Sequence, residues 1–350
     1  MSAQDKLKIG VLGASGYTGA DLVRLLATHP NAEIRVLTAN QQAGQPMRKV
    51  YPHLGGLDLP DLVKWEDADW SSLDVAFCGL PHGTTQEIVA SMPDHLKVVD
   101  LSADFRLRDP DVYAEWYGHE HRALQLQAQA VYGLTELNRE AVTHARLVAC
   151  PGCYPTASLL ALVPLVENRQ IDATDVVIDA KSGVTGAGRK VAQQLLFAEV
   201  GEGIHPYGVS KHRHAPEMEQ EIGLAAGGSP VHVSFTPHLM PMNRGELVSC
   251  YVRLSPGESA DSLRERLAAR YAREPFVRVL EPGESPATRN VRGSNYAVMN
   301  VFADRIPGRA IVICAIDNLV KGSSGQAIQN MNLMTGLPET TGLGQQPLFP

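Results

Sequence analysis

The chain has 350 residues, 44% of them hydrophobic, with 31 Lys+Arg against 38 Asp+Glu for a formal net charge of −7. That length accommodates two domains, each able to bury its own core, and the acidic balance excludes nucleic acid or an anionic membrane as main partner, since both call for a basic surface. No apolar stretch runs the ~18 residues of a membrane span without Pro, Gly, Asn or charge, and five cysteines in so long a chain do not make a disulfide framework.

The opening, Met1-Ser2-Ala3-Gln4-Asp5-Lys6, leads straight into strand-like residues with no apolar signal region or Arg-rich presequence, so a cytoplasmic location is expected. The first 150 residues alternate short apolar runs with helical stretches, the pattern of an α/β, doubly wound parallel sheet. Lys8 to Gly13 reads as the first strand. Tyr17 to Thr28 spaces Leu22, Leu25 and Leu26 as a helix does and stops before Pro30, while Ile34 to Thr38, Val75 to Cys78 and Val98 to Leu101 read as further strands. Each strand ends in Gly, Pro, Ser or polar clusters, where such sheets carry their ligands.

Between the first strand and its helix lies Gly10-Val11-Leu12-Gly13-Ala14-Ser15-Gly16-Tyr17-Thr18-Gly19. Glycines there permit a tight turn, and the helix N-terminus offers N–H groups and a positive dipole end to a pyrophosphate. Gly13, Ser15, Gly16, Tyr17 and Thr18 are therefore cofactor-binding candidates. After the second strand, Thr38-Ala39-Asn40-Gln41-Gln42 holds no carboxylate to take ribose hydroxyls. A carboxylate would repel a 2′-phosphate, so its absence, with Thr38 at the strand end, points to NADP(H); Arg48 or Lys49 then has to supply the positive charge.

Beyond residue 150 the strands lengthen and helices thin out: Val176 to Asp179, Val231 to Phe235, Leu247 to Val252 and Ala310 to Cys314, then a helix from Gln326 to Thr335. This is the pattern of an α+β domain with a mixed sheet. At the junction, Val148-Ala149-Cys150-Pro151-Gly152-Cys153-Tyr154-Pro155-Thr156-Ala157 runs from strand to apolar helix. Cys153 sits just before the helix start, where the dipole favours a thiolate and lowers the pKa from its usual ~8.5, making a strong nucleophile. Cys78, Cys250 and Cys314 fit a buried, inert setting. Cys150 and Cys153 form a CxxC, but no second Cys pair completes a metal site and none is expected. A thioredoxin-like pair fits the motif, whereas the nucleotide-binding pattern ahead of it does not suit that fold. Cys150 admits two readings, a small side chain packed at the strand end and a disulfide partner for Cys153. His212-Arg213-His214, with Glu217 to orient an imidazole, offers two proton carriers. Alternate residues of an extended segment face opposite ways, so one of the two reaches Cys153.

These motifs carry a resemblance. Pro151-Gly152-Cys153-Tyr154-Pro155-Thr156, together with Gly13-Ala14-Ser15-Gly16-Tyr17-Thr18-Gly19, Leu80-Pro81-His82-Gly83, Leu101-Ser102-Ala103-Asp104-Phe105-Arg106, Lys211-His212-Arg213-His214-Ala215-Pro216-Glu217 and Asp317-Asn318-Leu319-Val320-Lys321-Gly322, resembles the N-acetyl-gamma-glutamyl-phosphate reductases nearly end to end. The resemblance implies a Rossmann-like NADP-binding domain at 1–149, a catalytic and dimerisation domain at 150–317 similar to that of glyceraldehyde-phosphate and aspartate-semialdehyde dehydrogenases, and a segment at 318–350 that returns to the first. It implies NADPH-dependent reduction of N-acetyl-L-glutamyl 5-phosphate to the 5-semialdehyde in arginine biosynthesis, through a thioacyl intermediate on Cys153. It favours His214 as the base, places Ser182, Gly183 and Asn318 beside the nicotinamide, and suggests a homo-oligomer, dimer or tetramer. An acyl phosphate with a carboxylate needs fixed cations, for which Arg106, Arg213 and Arg189 are candidates in falling order. Two positions depart from the family pattern: Cys150 stands where Asn is more frequent, and the loop after the second strand lacks the frequent Arg. The alternatives are a carrier-protein-linked aminoadipyl- or glutamyl-phosphate reductase of lysine biosynthesis, and a nucleotide-sensing regulator that keeps the fold without the chemistry.

Overall fold

The computed structural model describes residues 6–349; Met1 to Asp5, on which the absence of a leader was read, and Pro350 lie outside the described residues. One chain builds two units by leaving the first and later rejoining it. The first unit runs to Pro151 and resumes at Ser323–Gly344; the second is Gly152–Gly322 with the tail from Gln345. The chain thus rejoins the first unit at 323, where 318 was expected, and its last residues pack with the second.

The first unit holds a seven-stranded sheet in the order β3-β2-β1-β4-β5-β7-β6, from β1 (Leu7–Leu12), β2 (Ala32–Thr38), β3 (Leu62–Val63), β4 (Val75–Cys78), β5 (Lys97–Asp100), β6 (Val131–Tyr132) and β7 (Leu147–Ala149). Every pairing is parallel, and the central strands are apolar runs because helices cover both faces of such sheets. The strand order reverses beside β1, so the loop after it opens at the point where doubly wound sheets bind nucleotides. Leu12, Ala76, Cys78, Val98, Phe105 and Ala149 share one core beneath these loops. The returning helix Gly325–Met334 closes the unit with buried amides: Asn330 Nδ2 donates to the Gly133 carbonyl (2.8 Å) and Asn332 Oδ1 lies 3.0 Å from His29 Nε2.

The second unit holds another seven-stranded sheet, β12-β13-β14-β11-β8-β10-β9, built from β8 (Ile171–Gly183), β9 (His205–Pro206), β10 (Val233–Met240), β11 (Glu246–Leu254), β12 (Val277–Val279), β13 (Ala297–Ala303) and β14 (Arg309–Ile316). It is mixed, with β10 parallel to β8 and β11 antiparallel to both β8 and β14. Helix Cys153–Glu167 is buried from Tyr154 to Val166, as its all-round apolar sequence requires. Among the described residues no helix is long and apolar enough to cross a membrane.

Candidate active site

Helix Cys153–Glu167 starts one residue after Gly152, whose extended backbone (φ −65°, ψ 161°) caps it. Cys153 is thus the helix's first residue, half-buried, among N–H groups that a helix cannot satisfy internally. Packing explains the glycine before it: a Cβ on Gly152 would lie 2.3 Å from His214 Nε2, so only glycine lets that imidazole close on the backbone beside Cys153. His214 opens helix His214–Ala225, and Glu217, one turn along, accepts the Gly152 N–H at Oε1 (2.9 Å). A carboxylate expected to hold an imidazole reaches the main chain of the nucleophile's cap.

The two histidines do not alternate as an extended segment would place them. Arg213 is already in helical conformation, so the chain turns at this point and both rings meet Tyr154, at 5.7 Å for His212 and 5.8 Å for His214. The rings lie 4.7 Å apart, and His212 Nδ1 accepts the His214 main-chain N–H (3.2 Å). Tyr207 and Phe235 complete an aromatic box around His212. Burial, with the Arg213 charge beside it, pushes His212 down to about 4, so it stays neutral at physiological pH. Tyr207 Oη donates to Tyr154 Oη (3.0 Å), and burial drives both phenols above their ordinary range.

Glu246, which the sequence reading passed over, belongs to this cluster. It is fully buried at the head of β11, where neither carboxylate oxygen meets a hydrogen-bond partner among the described residues; burial and the Asp317 charge push it up to about 8. A signal was present in the sequence, because Glu246 shares period-two parity with the buried Val248, Cys250 and Val252.

Still in the second unit, Ser182 is fully buried at the end of β8, with its hydroxyl on the Gly183 carbonyl (3.2 Å). The Gly183 N–H meets the Gly245 carbonyl (2.8 Å). Asn318 ties the same turn: Oδ1 accepts the Gly245 N–H (2.9 Å) and Nδ2 donates to Thr185 Oγ1 (3.0 Å). Arg213 and Arg189 are exposed.

In the first unit, Gly13 turns the chain at φ +76°, a conformation that disfavours a side chain, and a Cβ there would lie 2.5 Å from the Gly79 carbonyl oxygen. Its N–H reaches Thr38 Oγ1 (3.3 Å), which ties the loop to the end of β2. Gly16 caps helix Tyr17–Leu26 with no side-chain hydrogen bond and no acidic residue in the first turn. Thr18 Oγ1 lies 3.2 Å from Ser323 Oγ, and the Tyr51 hydroxyl donates to the Ser15 carbonyl (2.9 Å), which brings the exposed Arg48 and Lys49 stretch up to the loop. The Leu80–Gly83 and Leu101–Arg106 motifs interlock: Asp104 accepts the N–H groups of Gly83 (2.6 Å) and Thr85 (3.0 Å). Arg106 is turned inward, with Nε on the Cys150 carbonyl (2.8 Å) and Nη2 on that of Leu101 (3.2 Å), a setting unlike that of a solvent-facing anion binder. Cys150 is buried at the end of β7, and its sulfur accepts from Asn330 Nδ2 at 3.5 Å.

A family profile described as "Semialdehyde dehydrogenase, NAD binding domain" matches residues 8–145, and "Semialdehyde dehydrogenase, dimerisation domain" matches residues 153–318. The chain is 58% identical to the N-acetyl-gamma-glutamyl-phosphate reductase of Rhodospirillum rubrum over 99% of each protein. It is 57% identical to a probable chloroplastic N-acetyl-gamma-glutamyl-phosphate reductase of Oryza sativa, covering 99% of this chain and 83% of that one. Among solved structures, aspartate semialdehyde dehydrogenase with NADP from Candida albicans shares the fold, with TM-score 0.66 and 19% identity over 95% of this chain and 99% of that one.

Proposed function

The chain belongs to the N-acetyl-gamma-glutamyl-phosphate reductases, and on that footing we propose that Cys153 carries their reaction as a thioacyl intermediate, with His214 moving the oxygen-side proton. The protein is an NADP(H)-dependent oxidoreductase of arginine biosynthesis that converts a small acyl phosphate, N-acetyl-L-glutamyl 5-phosphate, to N-acetyl-L-glutamate 5-semialdehyde and phosphate. The observation that carries the mechanism is the placement of Cys153 at the first residue of a buried helix, with the His214 ring against the preceding Gly152.

The first unit suits a dinucleotide with a 2′-phosphate. Helix Tyr17–Leu26 starts uncapped by any side chain, and β2 ends in Thr38 with no acid after it. Gly13, Ser15, Gly16, Tyr17 and Thr18 would hold the pyrophosphate, Thr38 would serve the ribose, and Arg48 and Lys49 would supply charge to the 2′-phosphate. Ser182, Gly183 and Asn318 would serve the nicotinamide. Bound NADPH supplies a hydride to the acyl carbon.

Cys153 attacks the acyl carbonyl and expels phosphate, and the first-turn N–H groups of its helix stabilise the oxyanion. His214 gives a proton to the oxyanion left on the reduced thioacyl carbon and takes it back as the C–S bond of the thiohemiacetal breaks and the thiolate departs. Arg213, exposed at the start of the His214 helix, is the better placed cation for an incoming carboxylate or phosphate, since Arg106 is occupied by main-chain carbonyls. The enzyme works as a homo-oligomer through its second unit, a reading supported by the dimerisation-domain match, and in the cytoplasm, where its five thiols keep their reduced state.

The test is phosphate-dependent NADPH formation from N-acetylglutamate 5-semialdehyde by the purified protein. Activity on this aldehyde that is absent without phosphate supports the reading; no activity, or activity only on another semialdehyde, overturns it.

A further inference from the structure

Asn318 is the one residue of Asp317-Asn318-Leu319-Val320-Lys321-Gly322 that the mechanism uses. The last residue of that stretch, the buried Gly322, lies against the nucleophile: a Cβ there would stand 2.7 Å from Cys153 Cβ and 3.1 Å from Cys153 Cα. Neither atom is the movable end of a long side chain, so the close-packed interior has no room for a methyl group at this point. Gly322 is not among the glycines with positive φ. The turn itself therefore does not demand glycine, and the approach to Cys153 does.

Asp317 builds the turn that brings this glycine in. It is 0% exposed, its Oδ1 accepts the N–H groups of Leu319 (2.8 Å) and Val320 (3.2 Å), and its Oδ2 accepts that of Gly293 (2.6 Å). Arg244 Nη1 stands 3.6 Å from Oδ1 and balances the charge. The Asp317 main-chain carbonyl accepts the Gly322 N–H (3.0 Å) from five residues along, which closes the wide ring of a π turn beginning at Val320. A carboxylate bonded to main-chain N–H groups on both sides and facing a guanidinium is fixed in one orientation, and it fixes the turn with it.

We propose that Asp317 and Gly322 are positioning residues for the nucleophile: Asp317 fixes the turn, and the bare main chain of Gly322 is the wall that keeps the Cys153 side chain at the N–H groups of its own helix start. A second glycine makes the matching allowance for the base. Gly152, at φ −65°, has no backbone need of glycine either, and a Cβ on it would lie 2.3 Å from His214 Nε2. The sulfur and the imidazole thus each reach their places past a missing side chain. A thiolate held at a helix N-terminus forms more readily than one displaced from it, and a reacting atom out of place by about 1 Å costs ~10² in rate.

The test follows iodoacetamide alkylation of Cys153 by peptide mass spectrometry from pH 6 to 9.5, in full-length protein without substrate or cofactor, for wild type, Gly322→Ala and Asp317→Asn. The methyl group of Gly322→Ala pushes the sulfur from the helix start, so alkylation at pH 7 should slow about fivefold, with its midpoint raised by about 0.7 unit. Asp317→Asn turns an amide NH2 towards main-chain N–H groups and should slow alkylation about threefold in the same direction. In Gly322→Ala, turnover should fall about a hundredfold while KM for the acyl phosphate and Kd for NADPH stay within threefold. Gly308→Ala is the control, at an exposed turn with φ +76° and nothing within 4 Å of the added Cβ. It should lower Tm and leave the midpoint in place. A Gly322→Ala midpoint equal to that of wild type overturns the proposal, as does an equal shift in Gly308→Ala, which would mark a response to lost stability. If Gly322→Ala does not fold, Asp317→Asn decides: a raised midpoint supports the proposal and an unchanged one overturns it. The proposal rests on the reading of Cys153 as the reductase nucleophile, yet the two fail separately. Inactive wild type with the alkylation contrast intact removes that reading, and active wild type without the contrast removes the positioning.

Discussion

Two helix starts in this protein share one backbone design and diverge in what surrounds it. Gly16 before Tyr17–Leu26 and Gly152 before Cys153–Glu167 each follow a strand of the first sheet and cap with nearly the same dihedral angles, −81°/167° and −65°/161°. At the first, Ser15 to Thr18 stay half-exposed with no acidic residue in the opening turn. At the second, the cap N–H is held by Glu217 and the helix is buried along its length. A helix start left open accepts an anion from solution. One enclosed by packing serves an anion made in place, on sulfur or on an oxyanion, which the N–H groups of the first turn favour.

The sharpest way to break this comparison is to remove the sulfur. Cys153→Ser should lose at least ~10³ in turnover while binding NADPH within about twofold of wild type, because a serine hydroxyl is far less ionised. Isothermal titration beside steady-state kinetics checks both halves, and a variant retaining a few per cent of activity sinks the covalent route. His214→Asn should cost ~10² in turnover and His212→Asn less, since His212, held near 4, is already neutral. The reverse order would move the base to His212.

At the other helix start, Gly13→Ala combines a positive φ with a close carbonyl oxygen and should cost ~1–3 kcal/mol. It should weaken NADPH binding at least tenfold and leave the alkylation rate of Cys153 unaltered; loss of thiol reactivity as well would show that the two starts are not independent. Asn40→Asp adds the missing carboxylate after β2 and should shift preference about tenfold towards NADH, read from kcat/KM with each cofactor.

The smallest effect is on stability against pH. Burial raises Asp100 in the first unit to about 7 and Glu246 in the second to about 8. Each folded-state pKa lies above its unfolded value, so the folded protein binds more protons between about 4 and 8, and stability falls as pH rises through that window. Tm should drop by a few °C between pH 5.5 and 8.5, and Glu246→Gln should remove the part of the fall above pH 7. A melting temperature that rises over this range would refute the assignment.

The first sheet was legible in the sequence because its strands are apolar runs ended by breakers, and β4 matches its expected span residue for residue. In the second unit, β8 extends well beyond Val176 to Asp179 because polar residues join it once β10 and β11 pair on either side. Strand β13 was missed, since Asn300 interrupts its apolar run and is reconciled only by donating to the Glu281 and Glu284 carbonyls. Cys153 was legible from its glycine and following helix. What Glu217 touches was not, as the Gly152 N–H lies 65 residues away in sequence and nothing local announces it.

The returning helix has a consequence for the order of folding. Gln326, Gln329, Asn330 and Asn332 are at most 1% exposed, and their partners Thr135, Glu136, the Gly133 carbonyl and His29 belong to the first part of the chain. A ribosome delivers those partners between 191 and 303 residues before the amides arrive. Until then the N-terminal sheet waits with unpaired polar groups and an uncovered flank, the state in which aggregation or chaperone capture competes with maturation. Most of the second unit, by contrast, emerges as one uninterrupted stretch, Gly152–Gly322. A nascent chain therefore gains the helix of its sulfur before it gains a finished nucleotide fold.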